Sequence, residues 1–327
     1  MMRRRTALVL ALWGLAVVAG SGLARAEDYP SRPITIIVPF PPGGSSDIVM
    51  RLVSQKASES LKQPIIIENR AGAAGNVAAI AIKNATPDGY LLMMGHTGTH
   101  AINPSLYADL KFDPVKDFQP ITALISFNNI LVVPTARPAK SVAELVALAK
   151  SLPEGLSYGS QGIGTGGHLL GELLAKHAAI KLVHVPYRGI APAVTDTVAG
   201  RMDMLFSSYV SMGGHVEAGR LRMLAIASTQ RHPRIPDVPT MAEAGYPDVQ
   251  MQQWFGLFAP AGTPSAIVAK LNAAFVNALN SDEIKDKMLP QVVFVIPGTP
   301  QDLGAMVTRD IARLGPVVRD SGARAPE

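Results

Sequence analysis

The chain has 327 residues, with 30 Lys and Arg against 25 Asp and Glu and no cysteine. The missing cysteine excludes disulfides and thiolate chemistry. Four of the basic residues fall within the first 25 positions, so the remainder is close to neutral and has no basic stripe for nucleic-acid phosphates.

In chain order, Arg3, Arg4 and Arg5 precede an uncharged apolar run over 6–20, and Leu23-Ala24-Arg25-Ala26 ends in a small-x-small pattern. That is the layout of a secretory signal peptide. The run is shorter than the about 20 residues of a membrane span. Cleavage after Ala26 and export as a soluble protein are therefore expected, with residues 1–26 set apart from the fold.

ITIIVPF (34–40) reads as a strand, and the apolar spacing of Ile48, Leu52, Val53, Ala57 and Leu61 predicts a helix over 47–61. PIIIEN (64–69) is a second strand, 76–84 a second helix, and TPDGYLLMMG (86–95) a turn and third strand. This β-α-β-α-β order predicts a parallel sheet with helices on both faces. The grammar restarts with a strand at 130–134 and a helix over 142–152, opened by Ser141 with Glu144 three positions on. Strands at 156–160, 181–187 and 202–208 alternate with helices over 168–177 and 191–199. Strands at 221–228, 252–260 and 292–298 and helices up to 279 and over 301–320 complete the pattern. Two α/β units follow, 27–125 plus 255–327 and 126–254, with crossings near 125–131 and 248–254. Two crossings between two units favour a cleft that opens about a hinge.

Ligands of open α/β sheets sit where strands end and helices begin. The first such loop, PFPPGGSSD (39–47), offers backbone at Gly43 and Gly44, hydroxyls at Ser45 and Ser46, and Asp47 at a helix start. A helix N-terminus of this kind attracts anions. The second, GSQGIGTGGHL (159–169), contains G-x-G-x-x-G at Gly162, Gly164 and Gly167. A dinucleotide fingerprint also needs an acid at the end of the next strand, and here that strand ends Val185-Pro186-Tyr187-Arg188. Binding of a small anion by loop amides fits better, although an exported NAD(P)-linked oxidoreductase stands as the alternative. Thr97 and Gly98 belong to a third loop, 95–107, whose His96 and His100 lack the helix and the companions of a zinc site. The fourth, RAGAAGN (70–76), reads equally as ligand loop or as packing. Arg188 offers a fork that matches a carboxylate. His168 reads as first-turn helix residue, no serine sits in a G-x-S-x-G elbow, and neither catalytic nor metal-binding residues are expected.

The leader, PFPPGGSSDIVMR, ENRAGAAGN, TPDGYLLM, HAINPSLY, SYGSQGIGTGGHL, VPYRGIAPAVTD and DVPTMAEAGYP with WFGLFAPAGTP together resemble the tripartite tricarboxylate transporter substrate-binding proteins, also called Bug proteins. The resemblance implies a periplasmic type II binding protein whose two α/β domains close like a flytrap. It implies a non-enzymatic, monomeric chain without cofactor that binds a small organic carboxylate and hands it to the membrane subunits of a transporter. A ligand-sensing partner of a signalling receptor would use the same fold. The pinching loops would be 40–47 (Phe40, Gly43, Gly44, Ser45, Ser46, Asp47) and 160–165 (Ser160, Gly162, Gly164, Thr165), joined by Thr97, Gly98, His168, Arg188 and Ser207. Ser207 and Ser208 stand where an acid or amide often follows the strand, which favours a simple or aromatic carboxylate over an amino acid.

Overall fold

The computed structural model describes residues 29–325; the expected leader and its cleavage point lie outside the described residues. The first unit runs β1 (Ile34–Val38), α1 (Ser45–Leu61), β2 (Ile65–Asn69), α2 (Asn76–Lys83), β3 (Leu91–His96) and a short α3 (Asn103–Leu106). β4 (Phe118–Asn128) and β5 (Ile130–Pro134) lead into the second unit. There follow α4 (Val142–Ser151), β6 (Leu156–Ser160), α5 (Gly166–Ala178), β7 (Leu182–Pro186), α6 (Ile190–Val198), β8 (Met204–Ser207), α7 (Tyr209–Glu217) and β9 (Leu221–Ile226). β10 (Gln252–Pro260) returns to the first unit, with α8 (Ser265–Asn280), α9 (Asp282–Met288), β11 (Phe294–Val295) and α10 (Pro300–Ser321).

The strands form two sheets, ordered β11-β4-β10-β3-β1-β2 and β7-β6-β8-β5-β9. β1 shows why its run of apolar residues is continuous. Ile36 and Val38 face the core that holds Val49, Val53 and Ala57 of α1, whereas Ile37 faces Ala78, Ala79 and Ile82 of α2. A strand covered by helices on both faces needs apolar side chains at every position.

The sheets are mixed, which corrects the expectation of a parallel sheet. β1 is parallel to β2 and β3, and β6 to β7 and β8, as helix crossovers require. β10 is antiparallel to β3 and β4, and β5 to β8 and β9. These are the strands beside the crossings, and they enter from the opposite end because no helix turns the chain round before them. Only Phe294 and Val295 of the expected strand at 292–298 pair, at the sheet edge. The stretch after β3, read as a loop, coils into a π-type turn over Gly98–Ile102 that runs on into α3.

The two crossings lie side by side, since Gln252 pairs with Asn128. The Asn128 side chain donates to Ala227 O (2.8 Å) and Met251 O (3.1 Å), tying the crossings to each other. α10 straddles the same region. Its Leu303 and Val307 pack into the first unit's core, and its Leu314 and Val318 into the second's. The final helix thus bridges both units.

Candidate ligand-binding site

At the C-terminal ends of the parallel strands, β1 feeds α1, β6 feeds α5, β7 feeds α6 and β8 feeds α7. The starts of all four helices meet at one place. Ser45 opens α1, Gly167 lies in the first turn of α5, Ile190 opens α6 and Ser208 precedes α7, and all four line one small void of about 10 Å³. That is roughly the room one water needs. Asn129, Gln161 and Ser207 share its wall, and no charged side chain of the described residues does. Helix starts carry N–H groups without intrahelical acceptors and the positive end of the macrodipole. Four of them from two units make a setting for an anion without using a buried cation.

Beside this void lies a chamber of about 440 Å³. The first unit contributes Pro39, Phe40, Ala71, Gly72, Ala73, Ala74 and Tyr107. The second contributes Gln161, Gly162, Ile163, Pro186, Tyr187 and Arg188. Gln161 lines both spaces and so marks their junction. The units are drawn together around them. A Cβ added to Gly44 would meet Ile190 Cγ2 at 3.0 Å, one on Gly98 would meet Gly164 O at 3.0 Å, and one on Gly189 would meet Pro41 Cδ at 2.6 Å.

The expected residues divide into those that face these spaces and those that stand behind the walls. Phe40, Gly162 and Arg188 line the chamber, and Ser45 and Ser207 the small void. Asp47 is buried and its carboxylate is fully engaged. It accepts from Gly43 N (3.0 Å), Arg51 Nε (2.9 Å) and Asn69 Nδ2 (3.0 Å). Burial pushes this carboxyl's pKa up, but those hydrogen bonds and the Arg51 charge outweigh it and hold the pKa below the usual range. Gly44, not Asp47, caps α1, so the helix starts two residues earlier than the sequence suggests. Ser46 is buried, and Gly43, at φ 82°, supplies the left-handed turn that lets Asp47 reach its amide.

In the second loop the donors point inward. Ser160 Oγ accepts from Gly162 N (3.1 Å) and shares a 2.7 Å hydrogen bond with His184 Nε2. Thr165 Oγ1 donates to Gly162 O (2.7 Å), and His168 Nδ1 accepts from Gly164 N (3.2 Å). The rings of His168 and His184 stack at 4.2 Å. Burial lowers His168 to about 4, and burial together with the His168 charge lowers His184 to about 3. Both are neutral at pH 7, so His168 can accept from the loop. Two of the amides that a dinucleotide pyrophosphate would use are therefore already bonded within the protein. Thr97 accepts from Trp254 N (2.8 Å) and ties β3 to the returning strand rather than facing the cleft. His96 and His100 are buried, and among the described residues no three His, Asp or Glu side chains gather as a metal set.

Residues 49–323 match the profile of the tripartite tricarboxylate transporter family receptor. The chain belongs to that family. This receptor is 38% identical over 95% of its length to the UPF0065 protein in the tcbD-tcbE intergenic region of Pseudomonas sp. (strain P51), covering 92% of that protein. Its fold matches an R. palustris protein solved with adipate, Rpa4515 (TM-score 0.88, 35% identity, 91% of this chain and 99% of that one). It also matches MatC from Rhodopseudomonas palustris solved with malate (TM-score 0.85, 35% identity, 89% and 100%). Receptors of this family are periplasmic.

Sequence reading passed over Gln161, Tyr107 and Tyr187 in the receptor's chamber and left the 70–76 loop undecided. That loop proves to be wall. Ala73 and Ala74 hold left-handed backbone (φ 44° and 50°), a conformation that costs a non-glycine residue roughly 1–2 kcal/mol. A signal was present for Gln161, which stands between two residues of the second glycine-rich loop. For Tyr107 and the alanines there was none, because their position depends on how the two units close.

Proposed function

We propose that this receptor captures a small organic carboxylate in the cleft between its two units and delivers it to the membrane subunits of a tripartite transporter. The observation that carries the reading is the meeting of four helix starts, one from the first unit and three from the second, at a void free of charged side chains among the described residues. A carboxylate held by N–H groups and hydroxyls needs no buried unpaired cation, which would cost stability in the empty protein. The grip is completed only when both units contribute, so binding and closure are coupled, and parting of the units about the two crossings releases the ligand. The relatives solved with adipate and malate support a carboxylate. The chain works as a soluble periplasmic monomer of two domains and has no catalytic role.

The test is a thermal-shift panel on residues 27–327, refolded free of bound ligand, with mono-, di- and tricarboxylates, aromatic acids, amino acids and NAD(P)H. A ligand at about 100 times its Kd adds about 2.7 kcal/mol, a rise of several degrees. A shift with carboxylates supports the reading. A shift with NAD(P)H alone would turn the Gly162 to Gly167 loop into a cofactor site and overturn it.

A further inference from the structure

The two crossings link the units through the backbone, and a further link, held by packing, runs beside the first of them. β11 pairs with β4 just before that crossing, Phe294 with Ser126 and Val295 with Ile125. Ile296 N extends the pairing by donating to Leu124 O (3.1 Å). Two residues before β11, Val292 is buried in an apolar cluster with Ile130 and Val132 of β5, just past the crossing, and with Met212 of α7. Among the described residues, every other member of that cluster belongs to the second unit, 126–254. Val293, one position on, is buried in the first unit's core. Val292 holds left-handed backbone (φ 57°), the one β-branched residue to do so among the described residues. For such a side chain that conformation is an outlier that the surroundings must enforce. Two adjacent valines diverge at this turn, one into each unit. Phe294 then sets its ring against His232 of the second unit, with 4.8 Å between centroids. In return, Val210 of α7 packs against the first unit's core.

We infer that the segment 289–295 is a splint across this crossing, with Val292 as its pin, and that it holds the empty receptor near the arrangement in which the units touch. This rests on one part of the reading above, that the units move about the crossings. Before the crossing the splint is fixed by its pairing with β4, and after it by apolar packing on β5. A bend at the crossing must therefore shear one of the two. Close-packed apolar side chains interlock in discrete arrangements and do not deform gradually. A wide opening withdraws Val292 from its cluster and leaves the strained backbone without the burial that offsets it. The splint also grips a helix that reaches the ligand. Ser208, which precedes α7, lines the void, and Tyr209 and Met212 of α7 pack in the cluster that receives Val292. The balance between parted and joined units is thus biased by residues outside the walls of the void and chamber.

The experiment reads the distance between the units with no ligand added. The chain has no cysteine, so spin labels attach cleanly at Val77→Cys and Thr195→Cys, exposed positions on α2 and α6, one in each unit. Pulsed dipolar spectroscopy on residues 27–327, refolded free of bound ligand, should give one narrow distribution for the labelled parent. Val292→Gly keeps the left-handed turn, which suits glycine, and removes the pin. Its mean distance should lengthen by more than about 2 Å, and its distribution should broaden. Val292→Ala, which keeps a side chain but shortens it, should shift in the same direction and secures the test if the glycine variant fails to fold. Val293→Ala, one residue along in the first unit's core, should lower Tm and leave the distances as they were. Unchanged distances in both Val292 variants would overturn the inference and make Val292 ordinary core packing. So would a lengthening in Val293→Ala equal to that in Val292→Gly. The distances are read without ligand, so failure of every acid in the thermal-shift panel would sink the carboxylate reading and leave the splint to stand or fall on its own result.

Discussion

Gly164 of the second unit and Asn103 of the first lie so close that a Cβ on Gly164 would stand 2.5 Å from Asn103 Oδ1. Asn103 is in turn fixed by its own bond from Nδ2 to Asn76 Oδ1 (2.6 Å). Across the cleft, a Cβ on Gly44 would stand 3.0 Å from Ile190 Cγ2, a looser but still tight approach. Neither glycine has a free choice of side chain, because each marks a point where the two units touch. Gly44→Val and Gly164→Val should each wedge the cleft open and weaken carboxylate binding tenfold or more. Small-angle scattering with ligand should report the more open form, and far-UV circular dichroism should stay that of wild type. At Gly164 the backbone (φ 86°) adds about 1 kcal/mol of strain, so a modest fall in Tm is expected there. Unchanged affinity in both variants would rule out the pinching of the ligand by these two loops.

What the sequence made legible follows the range of the interactions involved. The strand and helix order was readable because β1 and α1 are specified by residues within one element: Val53, Ala57 and Leu61 of the expected stripe do face the core, although Ile48 of the same stripe is exposed and Val49 takes the buried position. The glycine-rich loops were readable because positive backbone angles at Gly43, Gly162 and Gly164 need glycine. Asp47 misled because its three partners include Asn69, which only the neighbouring strand brings near. Ser160 and Thr165 looked like donors aimed at a ligand, but hydroxyls in loops also bond their own backbone two or three residues away. Which way such a group points is settled by packing, and His184, 24 residues on, decides it for Ser160.

Acid should destabilise the receptor before most carboxylates titrate. Burial lowers His96 to about 4 and, aided by the His96 charge, His100 to about 3. In the unfolded chain both return to about 6.5. Between pH 6.5 and about 4 the unfolded state therefore binds more protons than the folded one, and stability falls as pH falls. The full contribution is present above pH 6.5. Urea midpoints measured between pH 7 and 5 should decline, and His100→Phe should flatten part of that decline. Phenylalanine keeps the 4.0 Å stack on Phe258 but cannot take up a proton. A slope identical to wild type would show that His100 is not among the groups responsible.

Asp47→Asn tests whether the first loop is held from behind. The substitution keeps the volume but removes the charge that faces Arg51 and one of the oxygens that bond Gly43 and Asn69. A charged hydrogen-bond partner lost from a buried site costs about 1–3 kcal/mol. The urea midpoint should fall accordingly. Because the folded pKa is depressed, the wild-type contribution is present above the ordinary carboxyl pKa of about 4 and lost below it. The stability difference between Asp47→Asn and wild type should therefore narrow as pH drops from 5 to 3. A constant difference across that range would assign the effect to packing and not to the ionised carboxylate.

Gln161 carries the last prediction, because it alone among the residues considered lines both the void at the helix starts and the chamber. A neutral side-chain hydrogen bond contributes about 1 kcal/mol, close to a fivefold change in affinity. Gln161→Ala should therefore weaken monoacids and diacids by about the same factor, leaving their ratio intact. Gln161→Glu separates a hydrogen bond from mere space. It is nearly isosteric, yet it puts a negative charge where four helix starts would hold the ligand's carboxylate. Its affinity for every acid at pH 7 should be at least tenfold below that of Gln161→Ala, and should recover as pH is lowered towards the range in which a glutamate takes up its proton. If Gln161→Glu binds acids as well as wild type at pH 7, the ligand's carboxylate does not sit at this junction, and the chamber alone holds it.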